Sequence, residues 1–482
     1  MRILPISLAL VAVAASPAHA FCGFFVAGND AKLYNNASQV VLLRKDNSTV
    51  MTLQNNYQGP PEDFALVVPV PVVLHKEDVK TLPHDVFDHI DSLSAPRLVE
   101  YWEQDPCHPP VMMMPMAAGA GGPVRRMMKK ESSADLGVKI EAQFVVGEYQ
   151  ILILSAKESD GLEKWLHLNK YKIPDGAAEA LAPYVREQSK FFVAKVDIQK
   201  VMKDAQGVMQ LSPLRFGFDA NELRLPVRLG LLNAKDKQDL IVYVLNPTAR
   251  FEVANYRNVF IPTNLEVADE IRNGFGAFYA QLFDATLVPF QGKAVVTEYA
   301  WQTTSCDPCP TPPLSANDLA TLGGDVAGGA GQPMPRRGGW GGGGLYGAGA
   351  GWVLTRLHAR YDRNTLSEDL IFKAAKPAMG GRAQWNGSSE GSTEAVVGDQ
   401  AGVNNFQGRY IIRHYWNQAV HCDHPQYGNW GGPPSGEAGS SQPKPAKNLA
   451  MAPRGTLKLD KVIRSAVPKL GIAGQKPPER AK

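Results

Sequence analysis

Beyond its first twenty residues, this 482-residue chain has no stretch approaching the roughly 18 consecutive apolar residues that a membrane helix needs. A soluble mature form without a transmembrane segment is expected. Charge of one sign is also missing: 50 Lys and Arg against 47 Asp and Glu leave a formal net charge of +3, too balanced to suggest nucleic acid as a partner. Catalytic strings are absent as well. There is no H-E-x-x-H, no Walker loop and no phosphate-cradling glycine fingerprint that follows a strand into a helix. Glu62 and Asp63 are adjacent, so they cannot flank a substrate as an acid–base pair. No catalytic residue is assigned, no cofactor is expected, and the chain reads as non-enzymatic. Cysteine is scarce and odd in number, at five: Cys22, Cys107, Cys306, Cys309 and Cys422. One sulfur at least must stay free or pair between molecules.

What is present begins with an export signal. Arg2 supplies a positive start, Ile3 to Ala15 form an apolar stretch too short to span a bilayer, and Ala18-His19-Ala20 is a small-x-small cleavage site. Cleavage after Ala20 is expected, with a periplasmic or secreted destination. Phe21 is too large for the residue that precedes a lipidated cysteine. In that compartment all five cysteines are disulfide candidates, and the sequence leaves their pairing open.

The composition, 44% hydrophobic and 20% charged, is that of a globular protein. Strand-like runs dominate, with hairpin signals such as Lys45-Asp46-Asn47-Ser48 between two of them. The expected class is therefore α+β: mostly antiparallel sheets with a few helices packed on one side, interrupted by low-complexity insertions. The signal peptide spans 1–20 and a β-rich part 21–105. A Met-, Pro- and Gly-rich insertion at 106–136 is expected to be mobile. A central α+β part covers 137–302, and 303–351 hold the C-x-x-C followed by a Gly-rich linker. A C-terminal β-rich part runs over 352–432. The tail, 433–482, carries ten Lys and Arg against three acids; disorder and weak affinity for anionic surfaces are expected there. Residues 78–103 look helical, broken at Pro83 and Pro96. Phe64 to Pro71 is an apolar strand whose prolines place it at a sheet edge or end it.

Three constellations could carry chemistry. Cys306 and Cys309 form a C-x-x-C, but Pro310, Pro312 and Pro313 follow, so no helix starts where a reactive thiolate would need one. A structural disulfide is the stronger reading. His421, Cys422 and His424, with His414 nearby, offer imidazole and thiolate ligands for zinc or copper. Cys107-His108 and the methionines that follow suit copper(I) in chemistry but read first as an adaptable apolar insertion.

Several strings occur together: Phe21-Cys-Gly-Phe-Phe, Tyr57-Gln-Gly-Pro-Pro-Glu-Asp-Phe, Leu225-Pro-Val-Arg-Leu-Gly, Ser305-Cys-Asp-Pro-Cys-Pro310 and Asn405-Phe-Gln-Gly-Arg-Tyr-Ile-Ile-Arg-His-Tyr-Trp416. In this combination the chain resembles the bacterial domain-of-unknown-function family 2330, exported proteins with a Cys-Asp-Pro-Cys-Pro motif. The resemblance implies export and implies no activity. The leading reading is a non-enzymatic binding or structural protein of the cell envelope with an envelope or extracellular partner. The competing one is a thiol-redox or metal protein built on the C-x-x-C and the His/Cys cluster.

Overall fold

The computed structural model describes residues 24–28, 37–55, 64–107, 138–169, 171–172, 176–197, 199–203, 209–232, 237–326, 351–382, 392–434, 440–446, 452–455 and 457–475. The signal segment with Ala20, Cys22, and the expected insertion from residue 108 onward lie outside the described residues.

Ala37–Lys45 illustrates how the sequence builds the architecture. Its run Val40-Val41-Leu42-Leu43 is continuous rather than alternating because both faces are buried. Val40 and Leu42 point into the space between two stacked sheets. Val41 and Leu43 point the other way, onto helix α1 (Asp85–Ser94). The sheet containing this strand is the larger one. Its central order is Ala294–Gln302, Val353–Tyr361, Gln238–Asn246, Ala37–Lys45, Ser48–Asn55 and Leu214–Asp219. The facing six-stranded sheet has Lys190–Val196 and Phe64–Val70 at its centre. Its outer face is covered by α2 (Ser159–Leu168) and α3 (Ala177–Arg186) through Leu162, Trp165, Leu181 and Tyr184. Four layers result: helix, sheet, sheet, helix pair. The class is α+β and most pairings are antiparallel, as expected, but helices cover both outer faces rather than one.

A further core lies beside this sandwich. Helix α4 (Ile271–Leu287) packs Phe275, Phe278, Tyr279 and Phe283 against Val296 and Ala300 of the large sheet and against Tyr410 and Ile412 of a small sheet. That small sheet pairs Arg409–His414 with Arg97–Glu103 in parallel.

Two expectations are corrected and one is decided. Only Asp85–Ser94 of the stretch 78–103 is helical. Arg97–Glu103 is a nearly wholly buried strand, because a parallel partner on one side outweighs its helix-compatible composition. Of the two alternatives for Phe64–Val70, the strand is interior and ends at its prolines; Pro69 lies past Val67, the last residue paired with Phe24–Gly28, so its missing N–H costs no ladder bond on that side. The tail is not disordered where it is described. Ala446, Val462, Ile463, Val467 and Ile472 are buried against α4's core. Its basic residues conceal an apolar set that completes a helix's exposed flank.

Candidate functional site

Strand Val353–Tyr361 alternates, and its two faces differ. Leu357, Ala359 and Tyr361 enter the core between the sheets, so Leu354, Arg356, His358 and Arg360 share the opposite face. That face is buried too: Arg356 and His358 are each 1% exposed. In the neighbouring strand Tyr243 stands opposite Arg356, and Asp239 opposite Arg360. On the other side the register of Ala294–Gln302 slips between Thr297 and Tyr299. Glu298 is the extra residue of that bulge, and bulges re-aim a side chain. Here the bulge brings a fully buried carboxylate between Arg356 and His358.

The result is a ladder of alternating charge. Asp91 of α1 accepts from Arg356 Nη1 at 2.6 Å and from the Tyr243 hydroxyl at 2.7 Å. Arg356 Nε donates to Glu298 Oε2 at 2.6 Å. Glu298 Oε1 also accepts from the Tyr279 hydroxyl at 2.5 Å and lies 2.6 Å from His358 Nδ1. His358 Nε2 lies 2.9 Å from Asp239 Oδ1, and the ring stacks on Phe283 with centroids 4.0 Å apart. Asp239 also accepts from Arg360 at 2.6 Å and from Arg454 at 3.2 Å. Arg454 ends the ladder on Asp284 at 2.6 Å.

Electrostatics follow from this geometry. Burial alone would raise the Glu298 carboxyl, but the charges of His358 and Arg356, with their hydrogen bonds, hold it down at about 2. Asp239 is lowered likewise, with burial outweighed by His358, Arg454 and Arg360. Burial would lower His358; its two carboxylates raise it instead. With a carboxylate at each nitrogen, the imidazolium has no free lone pair to act as a base, so the arrangement holds a proton rather than transferring one. Every charge in the ladder has a partner of opposite sign.

The sign of the pH dependence is fixed. His358, raised in the fold, contributes stability that is complete below its unfolded value of about 6.5 and is lost as pH rises through the folded value. Glu298, held low, contributes stability present above about 4.3 and lost as pH falls toward about 2. Urea midpoints are expected to peak between these limits. His358→Gln should flatten the alkaline arm, and an unchanged arm would refute the assignment.

The Cys306–Cys309 disulfide closes a small ring at the other end of the same strand, just after Gln302. Arg97, fully buried, donates to the Pro308 carbonyl at 2.9 Å and to Leu93 at 2.6 Å. Burial pulls its pKa down to about 10. Gln407 donates to the Asp307 carbonyl, and Arg382 pairs with the Asp307 carboxylate at 3.4 Å. The ring is therefore gripped from beneath by side chains as well as closed by sulfur.

Residues 16–373 match the sequence profile of a family described as an uncharacterized protein conserved in bacteria, DUF2330. The chain belongs to the DUF2330 family. No curated protein and no solved structure matches it. The matched span contains Asp91, Asp239, Asp284, Glu298, Arg356, His358, Arg360 and both cysteines of the ring. Arg454, Arg382, Gln407 and Cys422 lie beyond it.

The site residues expected from sequence are placed as follows in this DUF2330 chain. Cys107 and Cys422 form a disulfide, as do Cys306 and Cys309. The sulfur of Cys422 is thus bonded to the sulfur of Cys107 and is not available as a thiolate. His414 is drawn elsewhere: it stacks on Trp102 with centroids 4.4 Å apart and lies 3.1 Å from Glu100. His421 and His424 are exposed. No three His, Cys, Asp or Glu side chains gather in a metal-binding arrangement among the described residues. None of these expected residues belongs to the charge ladder. Its signal was legible in Thr355-Arg-Leu-His-Ala-Arg-Tyr361, where cations recur at every second position of an otherwise apolar strand.

Proposed function

We propose that the protein is exported to the bacterial cell envelope or beyond and acts there by binding, without catalysing a reaction. The Cys107–Cys422 disulfide carries this reading: it joins positions 315 residues apart, and such bonds form and persist in oxidising compartments. The signal-like first twenty residues agree with it. So does the ladder, whose acids and bases are spent on one another, leaving no base or nucleophile in a strained or activated state. No helix among the described residues is long and apolar enough to cross a membrane.

Fractionation of the producing bacterium tests this, with amino-terminal sequencing and non-reducing peptide mapping of the purified chain. The expected product starts at Phe21, leaves the cytoplasm, and links Cys107 to Cys422 and Cys306 to Cys309. A chain kept in the cytoplasm with residues 1–20 attached, or a free Cys306–Cys309 dithiol, would sink the proposal.

A further inference from the structure

The Arg454 end of the ladder opens on a cavity of about 620 Å³, within the range of about 300–1,000 Å³ usual for small-ligand sites. Its wall includes Lys237, Arg360 and Arg454 together with Asp284, Leu287 and Val288 from the end of α4. Asp284 and the buried Asp239 behind it satisfy the two guanidinium groups. One cation is left over. Lys237 is exposed and its ammonium has no partner among the described residues; it stands against Gly292, where an added Cβ would lie 3.6 Å from Nζ. A second donor is also unspent: Arg454 Nε is buried and has no hydrogen-bond partner among the described residues. Such a group costs free energy unless an acceptor reaches it.

One lining side chain is apolar and open. Val288 is 72% exposed, directly after the last residue of α4. Two carbonyls at the end of that helix are occupied, which weakens their repulsion of an anion: Gly292 N–H donates to Leu287 at 3.2 Å and Gln291 N–H to Val288 at 3.1 Å. A recess that combines an excess cation with an exposed aliphatic side chain matches an anion that carries an apolar tail.

We propose that this cavity binds a small organic carboxylate with a short aliphatic chain, its carboxylate held by Lys237 and Arg454 and its chain lying on Leu287 and Val288. The inference rests on the reading of the protein as a binder and names the ligand class. Calorimetric titration of the oxidised mature chain tests it, using octanoate, octylammonium and inorganic phosphate as probes. Octanoate is expected to bind saturably at one site, about tenfold or more tighter than either of the others. Lys237→Gln and Val288→Asp should each weaken octanoate about tenfold while leaving the unfolding midpoint of the unliganded protein unchanged. Absence of saturable octanoate binding overturns the proposal. Equal affinity for octylammonium or phosphate does so too, as do two variants that bind like the wild type. An exported, disulfide-linked chain that ignores octanoate would remove this ligand class and leave the proposed function standing.

Discussion

Glu298→Ala is expected to lower the free energy of unfolding by about 3–5 kcal/mol, the cost of leaving buried charges without their counter-ion. Glu298 is 0% exposed and touches Arg356, His358 and Tyr279 at once. Truncation would leave a guanidinium and an imidazolium side by side in a water-free site. His358 could escape by losing its proton; Arg356 could not. Glu298→Gln keeps the shape and one acceptor but gives up the charge, so it should fall between wild type and Ala. The interpretation can be separated from simple loss of packing by a cycle with Arg356→Met. Removing both members of the pair should cost less than the sum of the single losses, by about 0.5–3 kcal/mol. Urea unfolding of the four proteins measures this. A Glu298→Ala variant within about 0.5 kcal/mol of wild type, as for an ordinary surface change, would show that the ladder does not stabilise the fold.

Whether such a ladder also confers specificity is a separate matter. Buried ion pairs often contribute little net stability compared with apolar residues of the same size. What this one does is cross-link. Asp91 lies on α1, Tyr243 and Asp239 on one strand, Arg356 to Arg360 on the next, Glu298 on the third, and Asp284 on α4. Arg454 adds a segment close to the carboxyl terminus. Six separate stretches are thus held in one register by groups that tolerate little displacement. The cavity proposed to take a carboxylate lies where this frame reaches the surface, so its cations are positioned by buried partners rather than by flexible side chains alone.

The fold class, the strands at 294–302, 353–361 and 409–414, and helices α2 and α3 were readable from apolar periodicity, because each buries a face whose spacing local sequence records. Arg97–Glu103 was not, since its strand conformation depends on Arg409–His414, a partner more than 300 residues away. The tail misled for the same reason. Val462, Ile463, Val467 and Ile472 are sparse among lysines and prolines, and their value appears only against α4. The ladder hid behind a different difficulty. Asp commonly accepts turn hydrogen bonds and blocks strand extension, yet Asp239 sits inside strand Gln238–Asn246 at 2% exposure. Its role is decided by Arg360 opposite and His358 diagonal to it, and the bulge that delivers Glu298 leaves no mark in sequence.

Cysteine pairing shows the same limit, and it leads to the second large effect. The two disulfides close loops of very different length, with separations of 315 and 3 residues. In the chain-entropy account, the longer closure restricts the unfolded chain by about 5–6 kcal/mol and the shorter by about 2 kcal/mol, before any residual structure in the unfolded state reduces both. Cys107→Ser with Cys422→Ser is therefore expected to cost about 2–5 kcal/mol, and Cys306→Ser with Cys309→Ser less. Local contacts point the same way. The small ring stays held after its sulfur bond is gone, because Arg97 and Gln407 still bind the Pro308 and Asp307 carbonyls. Around the long closure the ties lie at a distance: Gln426 N–H donates to Pro106 at 2.8 Å, Gly428 N–H to Glu103 at 2.7 Å and Gln104 N–H to Asn429 at 2.8 Å, all involving residues four or more beyond Cys422. Loss of that bond should loosen the Cys422 segment from the end of strand Arg97–Glu103. Urea midpoints of the two double variants, with limited proteolysis to locate the first cut, give the comparison. Cleavage near Cys422 in the first variant, at little global cost in the second, is the expected pattern. The reverse order of stability would mean that the small ring, not the long closure, contributes more to the stability of the fold.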